Sequence, residues 1–390
     1  VKRAVLLLPA LLAVAAGAGG NTAPALAQTV APAADRAAVR ADYQRRLADY
    51  QRARDAYEEI ASRYWASIAE KRKLRNAKRR AGEAIGLDDY VLTQPPVYSG
   101  PARPVDPFAP EEVTPRRYVP VVADFLKAAA EHYRIAPQRP RSESEFKRAY
   151  ARIAAAAGLS RDQIVRIYAF EAGGNGAYDV QAGLESRKPE ARAITTALGY
   201  NQLLHTNSVE LMAEKGHRFL AALRERAAQM SGAAKAALAA KIAAVEAMVK
   251  VSRSVPDAWS EHEKLAATPK GLGIHAMNLD IDIGPLLQTQ KLLDSIEFAR
   301  RKGVNRPLTA AELEMMNLTG DGNGLDMVTM PVAMRDKVPT ANFFQRAGYE
   351  RNPVARRNNT VAALLAITDR RMDQESARPG ARELAAAYPQ

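Results

Sequence analysis

Ten of the chain's 23 prolines fall between Thr93 and Arg141. No long helix can cross such a stretch, because each proline lacks a backbone donor and its ring clashes with the preceding turn. Segment 93–141 therefore reads as an extended connector, interrupted by one helical stretch from Val121 to Tyr133. It divides the 390 residues into two helical regions of different character. Hydrophobic content of 47% with 25% charged residues is enough for a sizeable core and excludes wholesale disorder.

On the N-terminal side, residues 1–27 read as a secretory signal peptide. Lys2 and Arg3 form a basic start, Ala4 to Ala16 an apolar run, and Ala25-Leu26-Ala27 a small-x-small cleavage pattern before Gln28. The run is too short to span a bilayer as a helix. No later segment is apolar over 18 residues, so the expectation is a periplasmic protein with no membrane span in the mature chain. Region 28–92 is dominated by one long charged helix over 35–85. Tyr43, Leu47, Tyr50, Tyr57, Ala61, Tyr64 and Ile68 recur at alternating four- and three-residue spacing, with Arg54 filling one seam position, a coiled-coil-like stripe. Two readings fit the stripe: association with a protein partner or a second copy, or packing of the tyrosines on the rest of the chain. A basic run from Lys71 to Arg80 follows, suited to a solvated face or to an anionic polymer.

From Ser142 onward the pattern is helical and strand signals are nearly absent, so the fold class is mainly α. Ser142 with Glu145, and Ser160 with Gln163, have the spacing of helix-start capping boxes. The first helix stops at Gly158 and the second at Gly173-Gly174. Further helices are expected at about 207–228, 232–251, 286–302, 309–317 and 359–373.

Glu171 is the residue that most directly suggests chemistry. It closes an apolar helix after Tyr168-Ala169-Phe170 and precedes Gly173-Gly174-Asn175-Gly176. Apolar neighbours and the negative end of the helix dipole both disfavour its charge. A carboxyl kept protonated near neutral pH is what a general acid for glycosidic cleavage requires. An exposed glutamate without a chemical role would also fit this position.

Three further segments bear on the choice. Gly199-Tyr200-Asn201-Gln202-Leu203-Leu204 precedes a helix start at Thr206-Asn207-Ser208. Met316 to Gly324 contains Asn317, and Pro339 to Arg346 contains Phe343. In these four elements and their order, the sequence resembles the soluble lytic transglycosylases of the goose-lysozyme-like family. Gly199, Gln202 and Leu203 match the family's Gly-Leu-Met-Gln-Leu segment, Met316 to Gly324 its Ala-Tyr-Asn-Ala-Gly segment, and Pro339 to Arg346 its Glu-Thr-Arg-Asn-Tyr-Val segment. The resemblance implies a lysozyme-like (transglycosylase) domain over 142–375, with a helical insertion at about 220–310 and a tail at 376–390. It also implies that Glu171 is the single acid/base, with Gly199, Tyr200, Gln202, Asn317, Tyr178 and Phe343 contacting the glycan. The implied reaction cleaves the MurNAc–GlcNAc β-1,4 bond of peptidoglycan strands to give 1,6-anhydro-muramyl ends. Two departures stand out. Ala172 replaces the usual serine after the glutamate. Phe343 replaces a tyrosine that bonds it, leaving Tyr349, Tyr200 or Tyr178 as substitutes. A non-catalytic periplasmic cell-wall-binding or scaffold protein is the alternative.

Several chemistries are set aside at this stage. Zero cysteines exclude disulfides, thiolate metal sites and a cysteine nucleophile. The histidines share no ligand spacing, and Asp321-Gly322-Asn323-Gly324-Leu325-Asp326 lacks the ligand, glycine and glutamate positions of a calcium loop, so it reads as a Gly/Asx turn. No metal or cofactor is expected. The net charge of +13 comes with no nucleic-acid motif, and nucleic acid is not expected as a partner. Asp179 and Glu185 are the candidate second carboxylates near Glu171.

Overall fold

The computed structural model describes residues 33–109, 118–184, 188 and 191–389. Segment 1–27, expected to be a signal peptide, and Glu185 lie outside these residues. The described residues carry sixteen α-helices and no strand, so the protein is mainly α. In chain order, α1 spans Ala33–Ala81, α2 Val122–Tyr133, α3 Glu143–Ala156 and α4 Arg161–Glu171. Next come α5 at His205–Ala228, α6 at Gly232–Ser252, α7 at Trp259–Ala266 and α8 at Pro269–His275. They are followed by α9 at Gly284–Arg301, α10 at Ala310–Thr319, α11 at Asp321–Thr329 and α12 at Val332–Arg335. The chain closes with α13 at Arg346–Arg351, α14 at Pro353–Arg357, α15 at Val361–Ser376 and α16 at Pro379–Ala387. No helix among the described residues is long and apolar enough to cross a membrane.

The chain divides into two compact units. One holds residues 118–331 and 362–390, the other the described residues up to 109 together with 332–361. These limits differ from the sequence expectation of a connector at 93–141 and one domain at 142–375. Residues 118–141 belong to the first unit, because α2 buries Phe125, Ala128 and Ala129 there. Segment 332–361 belongs to the second.

In the first unit, local signals start the helices as expected. Ser142 Oγ accepts from Glu145 N, and Ser160 with Gln163, like Thr309 with Glu312, forms a reciprocal capping box. One hydrophobic cluster joins Leu203, Val209, Met212 and Phe219 to Leu238, Val245, Met248, Ile274, Ile283 and Leu287. Region 220–310 thus builds the core and is not appended to it. Gly216 leaves room for Val249 of α6 against α5, since a Cβ there would lie 2.3 Å from Val249 Cγ2. Buried charge in this core is paired: Lys241 Nζ donates to Asp280 Oδ1 at 2.9 Å. The 376–390 tail is also structured. Its α16 buries Ala381 and Leu384, and Lys147 of α3 donates to Glu383 at 2.6 Å.

In the second unit, the tyrosine stripe of α1 packs on its own chain. Tyr50 and Tyr57 meet Tyr98 edge-on, and Tyr64 donates to the Thr93 carbonyl at 2.9 Å. Much of the basic run is used internally. Arg75 is fully buried, donates to the Asp89 carbonyl at 2.9 Å and lies 4.2 Å from the Tyr90 ring centre. Arg72 donates to the Phe344 carbonyl at 2.8 Å. Arg72 and Arg75 thus take carbonyl and ring partners, while Lys73, Arg79 and Arg80 stay exposed.

Candidate functional site

α4 delivers Glu171 as its last residue, behind the buried Ile167, Tyr168, Ala169 and Phe170. The apolar face of α4 must enter the core, and this draws the terminal carboxyl in with it. Glu171 itself is half-buried. Its Oε1 accepts from Asn317 Nδ2 of α10 at 2.9 Å. Burial is the main force raising its pKa, to about 7. Hydrogen bonds from Glu314 and Asn317 and the positive charges of Arg371 and Lys291 act in the opposite sense.

Glu314 is the functional-site residue that sequence reasoning missed. It is only 3% exposed and lines the same small cavity as Glu171. Burial, then the neighbouring Glu171 charge, hold its carboxyl well above the usual range. Of the two, Glu314 is the carboxyl pushed further towards its neutral form, being the more deeply buried. One signal was present: Glu314 and Asn317 stand three residues apart on an expected helix, so they share a face. Lys291 of α9 and Arg371 of α15 supply the surrounding positive charge, and the Arg371 guanidinium lies 4.7 Å from the Phe170 ring centre.

These groups surround a small cavity lined by Glu171, Glu314, Asn317, Lys291, Ile167 and Leu313 among others. Its volume is about 10 Å³, room for one water and not for a sugar ring. Glu314 Oε2 and Asn317 Oδ1 are buried without a protein partner.

The other residues singled out from sequence are placed differently. Gly199 has φ 81 and Gln202 φ 43, both left-handed, and they close a tight turn. The Gln202 side chain is buried in that turn, donating to the carbonyls of Gly199 at 2.8 Å and Val180 at 3.2 Å. Tyr200 is fully buried; its hydroxyl donates to Glu143, and its ring packs edge-on against Tyr150, Tyr168 and Phe146. Tyr178 stacks on Phe146 and accepts from Arg139 Nε at 2.6 Å. Phe343 belongs to the second unit, where it packs against Tyr90. Asp179 is ion-paired with Arg139. The glycine turn after Glu171 is filled by the chain itself: Ala381 N donates to the Gly174 carbonyl at 2.8 Å, and Gly380 N to Asn175 Oδ1 at 3.0 Å.

The Asp321 to Asp326 segment is not the expected turn but the start of α11. No group of three or more His, Asp or Glu residues that could hold a metal occurs among the described residues. His275 is fully buried, with Nε2 2.8 Å from the Thr196 carbonyl and Nδ1 2.8 Å from Ser208 Oγ. Burial pushes its pKa down to about 3, so it is a neutral packing group. Comparison with protein-family models, curated proteins and solved structures returns no match to this chain.

The raised pKa of Glu171 makes a stability prediction. Its usual value is 4.5 and its folded value about 7. A carboxyl raised on folding contributes stability that is fully present below the unfolded pKa and lost as pH rises through the folded one. Relative to Glu171→Gln, the wild type is therefore expected to lose urea resistance progressively from about pH 4.5 to beyond pH 7. Parallel pH curves for the two proteins would contradict the burial of this carboxyl.

Proposed function

We propose that the chain is an exported glycan-cleaving protein of lytic-transglycosylase type, acting on the MurNAc–GlcNAc β-1,4 bond of peptidoglycan in the periplasm. One observation carries this reading. Glu171 is a carboxyl raised to about 7 at the end of an apolar helix, beside a second buried carboxyl, Glu314, so a proton is kept at this site near neutral pH.

In this reaction Glu171 protonates the glycosidic oxygen as the C1–O bond breaks. The same carboxylate then takes the proton of the muramyl 6-hydroxyl as that oxygen bonds to C1, which closes the anhydro ring and restores the acid. Asn317 holds Oε1 and orients the carboxyl. The contact between Glu171 and Glu314 supports a one-sided mechanism. Retaining and inverting hydrolases keep their two carboxyls about 5–5.5 or 6.5–9.5 Å apart on opposite sides of the bond, whereas these two line one cavity of about 10 Å³.

Muropeptide analysis after incubation with purified sacculi is the test. A 1,6-anhydro end is expected; a reducing end would indicate hydrolysis. A second reading has a specific observation behind it. A cavity of about 10 Å³ does not accommodate a sugar, which weighs against cleavage at Glu171 and leaves a protein that binds cell wall without cutting it as the second reading. Sacculus retention without any released product would establish that reading in place of the first.

A further inference from the structure

We propose that Glu314 is a positioning residue that holds the proton Glu171 delivers, so that the working acid is the carboxyl pair and not a lone glutamate. This rests on the glycan-cleavage reading above.

The geometry begins with α10. Glu314 and Asn317 are one turn apart, and both reach the cavity beside Glu171. Asn317 fixes one oxygen of Glu171. Glu314 lines the same cavity from within the core, 3% exposed, and its Oε2 is buried with no hydrogen-bond partner. Stability does not account for this arrangement. A buried carboxyl with an unsatisfied oxygen is costly, and an apolar residue in its place would remove that cost. Two carboxyls that share one small buried cavity do not readily ionise together, so the pair retains one proton where a lone carboxyl would have lost it. The charged groups facing the pair are Lys291 from α9 and Arg371 from α15, both positive.

The proton can be followed through the cycle. At rest, neutral Glu314 donates to ionised Glu171. As the C1–O bond breaks, the Glu314 proton crosses to Glu171, and Glu171 passes a proton to the glycosidic oxygen. The pair is then doubly negative, offset by Lys291 and Arg371. The muramyl 6-hydroxyl gives its proton to the pair as its oxygen bonds to C1. One shared proton is restored, and nothing is consumed.

Glu314→Gln tests this in the full chain. Glutamine keeps the shape and can donate a hydrogen bond to Glu171, but it cannot hand over a proton. Initial rates of muropeptide release are expected to show kcat at pH 7 reduced by about tenfold or more, with KM within about twofold. The alkaline limb of the rate profile is expected to move to lower pH. Wild-type rates and an unchanged profile in Glu314→Gln would overturn the role of Glu314 while leaving Glu171 as the acid. Infrared titration of the carboxyl bands in the folded protein gives a readout without activity. Wild type is expected to titrate the pair in two separated steps and Glu171→Gln to lose one; ordinary carboxyl titration of Glu314 would overturn the shared proton. A wild type with the two-step titration that releases no muropeptide would instead remove the cleavage reading, and the delivery role with it.

Discussion

Glu171→Gln is expected to reduce muropeptide release from sacculi by about a thousandfold or more. Glutamine preserves volume and can still meet Asn317, so the fold around α4 and α10 stays intact. What disappears is the only atom in this arrangement proposed to protonate the leaving oxygen. The same substitution also removes the base of the second step, so both halves of the reaction lose their proton carrier. General acid–base catalysis alone contributes about 10²–10⁴-fold, and the loss should fall in kcat with little change in KM. Release within about tenfold of wild type would sink the assignment of Glu171 as acid/base. Retention of sacculi by both proteins without release would favour the binding reading.

Gly324→Ala is expected to cost about 3 kcal/mol of stability and to disturb the site. A Cβ at Gly324 would lie 2.3 Å from Met316 Cα and 2.6 Å from Met316 N. These are backbone atoms of α10 and cannot rotate away. Alanine's better helix propensity returns at most about 1 kcal/mol. Met316 lies between Glu314 and Asn317, so pushing α10 aside moves both residues that meet Glu171. Gly322→Ala is the internal control: nothing lies within 4 Å of its Cβ position, and alanine there should be neutral or mildly stabilising. Chemical denaturation of both variants checks the contrast. Equal stabilities would mean that close packing of α10 and α11 is not what Gly324 provides.

Helices were the most legible part of this chain because their signals are local. Ser160 with Gln163 starts α4, and the apolar run through Phe170 sets its buried face. The expected helices at 207–228, 232–251 and 309–317 fall within a few residues of α5, α6 and α10. Glu171 was legible for the same reason, since its apolar neighbours are adjacent in sequence. Gln202 and Tyr200 show the limit. Residue type suggests a sugar-binding amide and aromatic ring, but a left-handed turn and a cluster of aromatic rings use both inside the protein. The Asp321–Asp326 motif suggests a turn from its glycines, yet contact with α10 makes it a helix that needs Gly324 to be small.

The amino-acid sequence by itself determined a mainly helical protein, the capping of α3 and α4, and a carboxyl placed at an apolar helix end. Only the tertiary structure decided which carboxyl faces it. The contact between Asn317 and Glu171 spans 146 residues, and Glu314 is reached through the same approach of α10 to α4. The tertiary structure also assigned 332–361 to a unit with α1, and folded 379–387 onto the glycine turn after Glu171. Periodicity reports which face of a helix is buried, over a few turns. It carries no record of the distant element that covers that face, and the placing of Glu314 and Asn317 beside Glu171 depends on that partner alone.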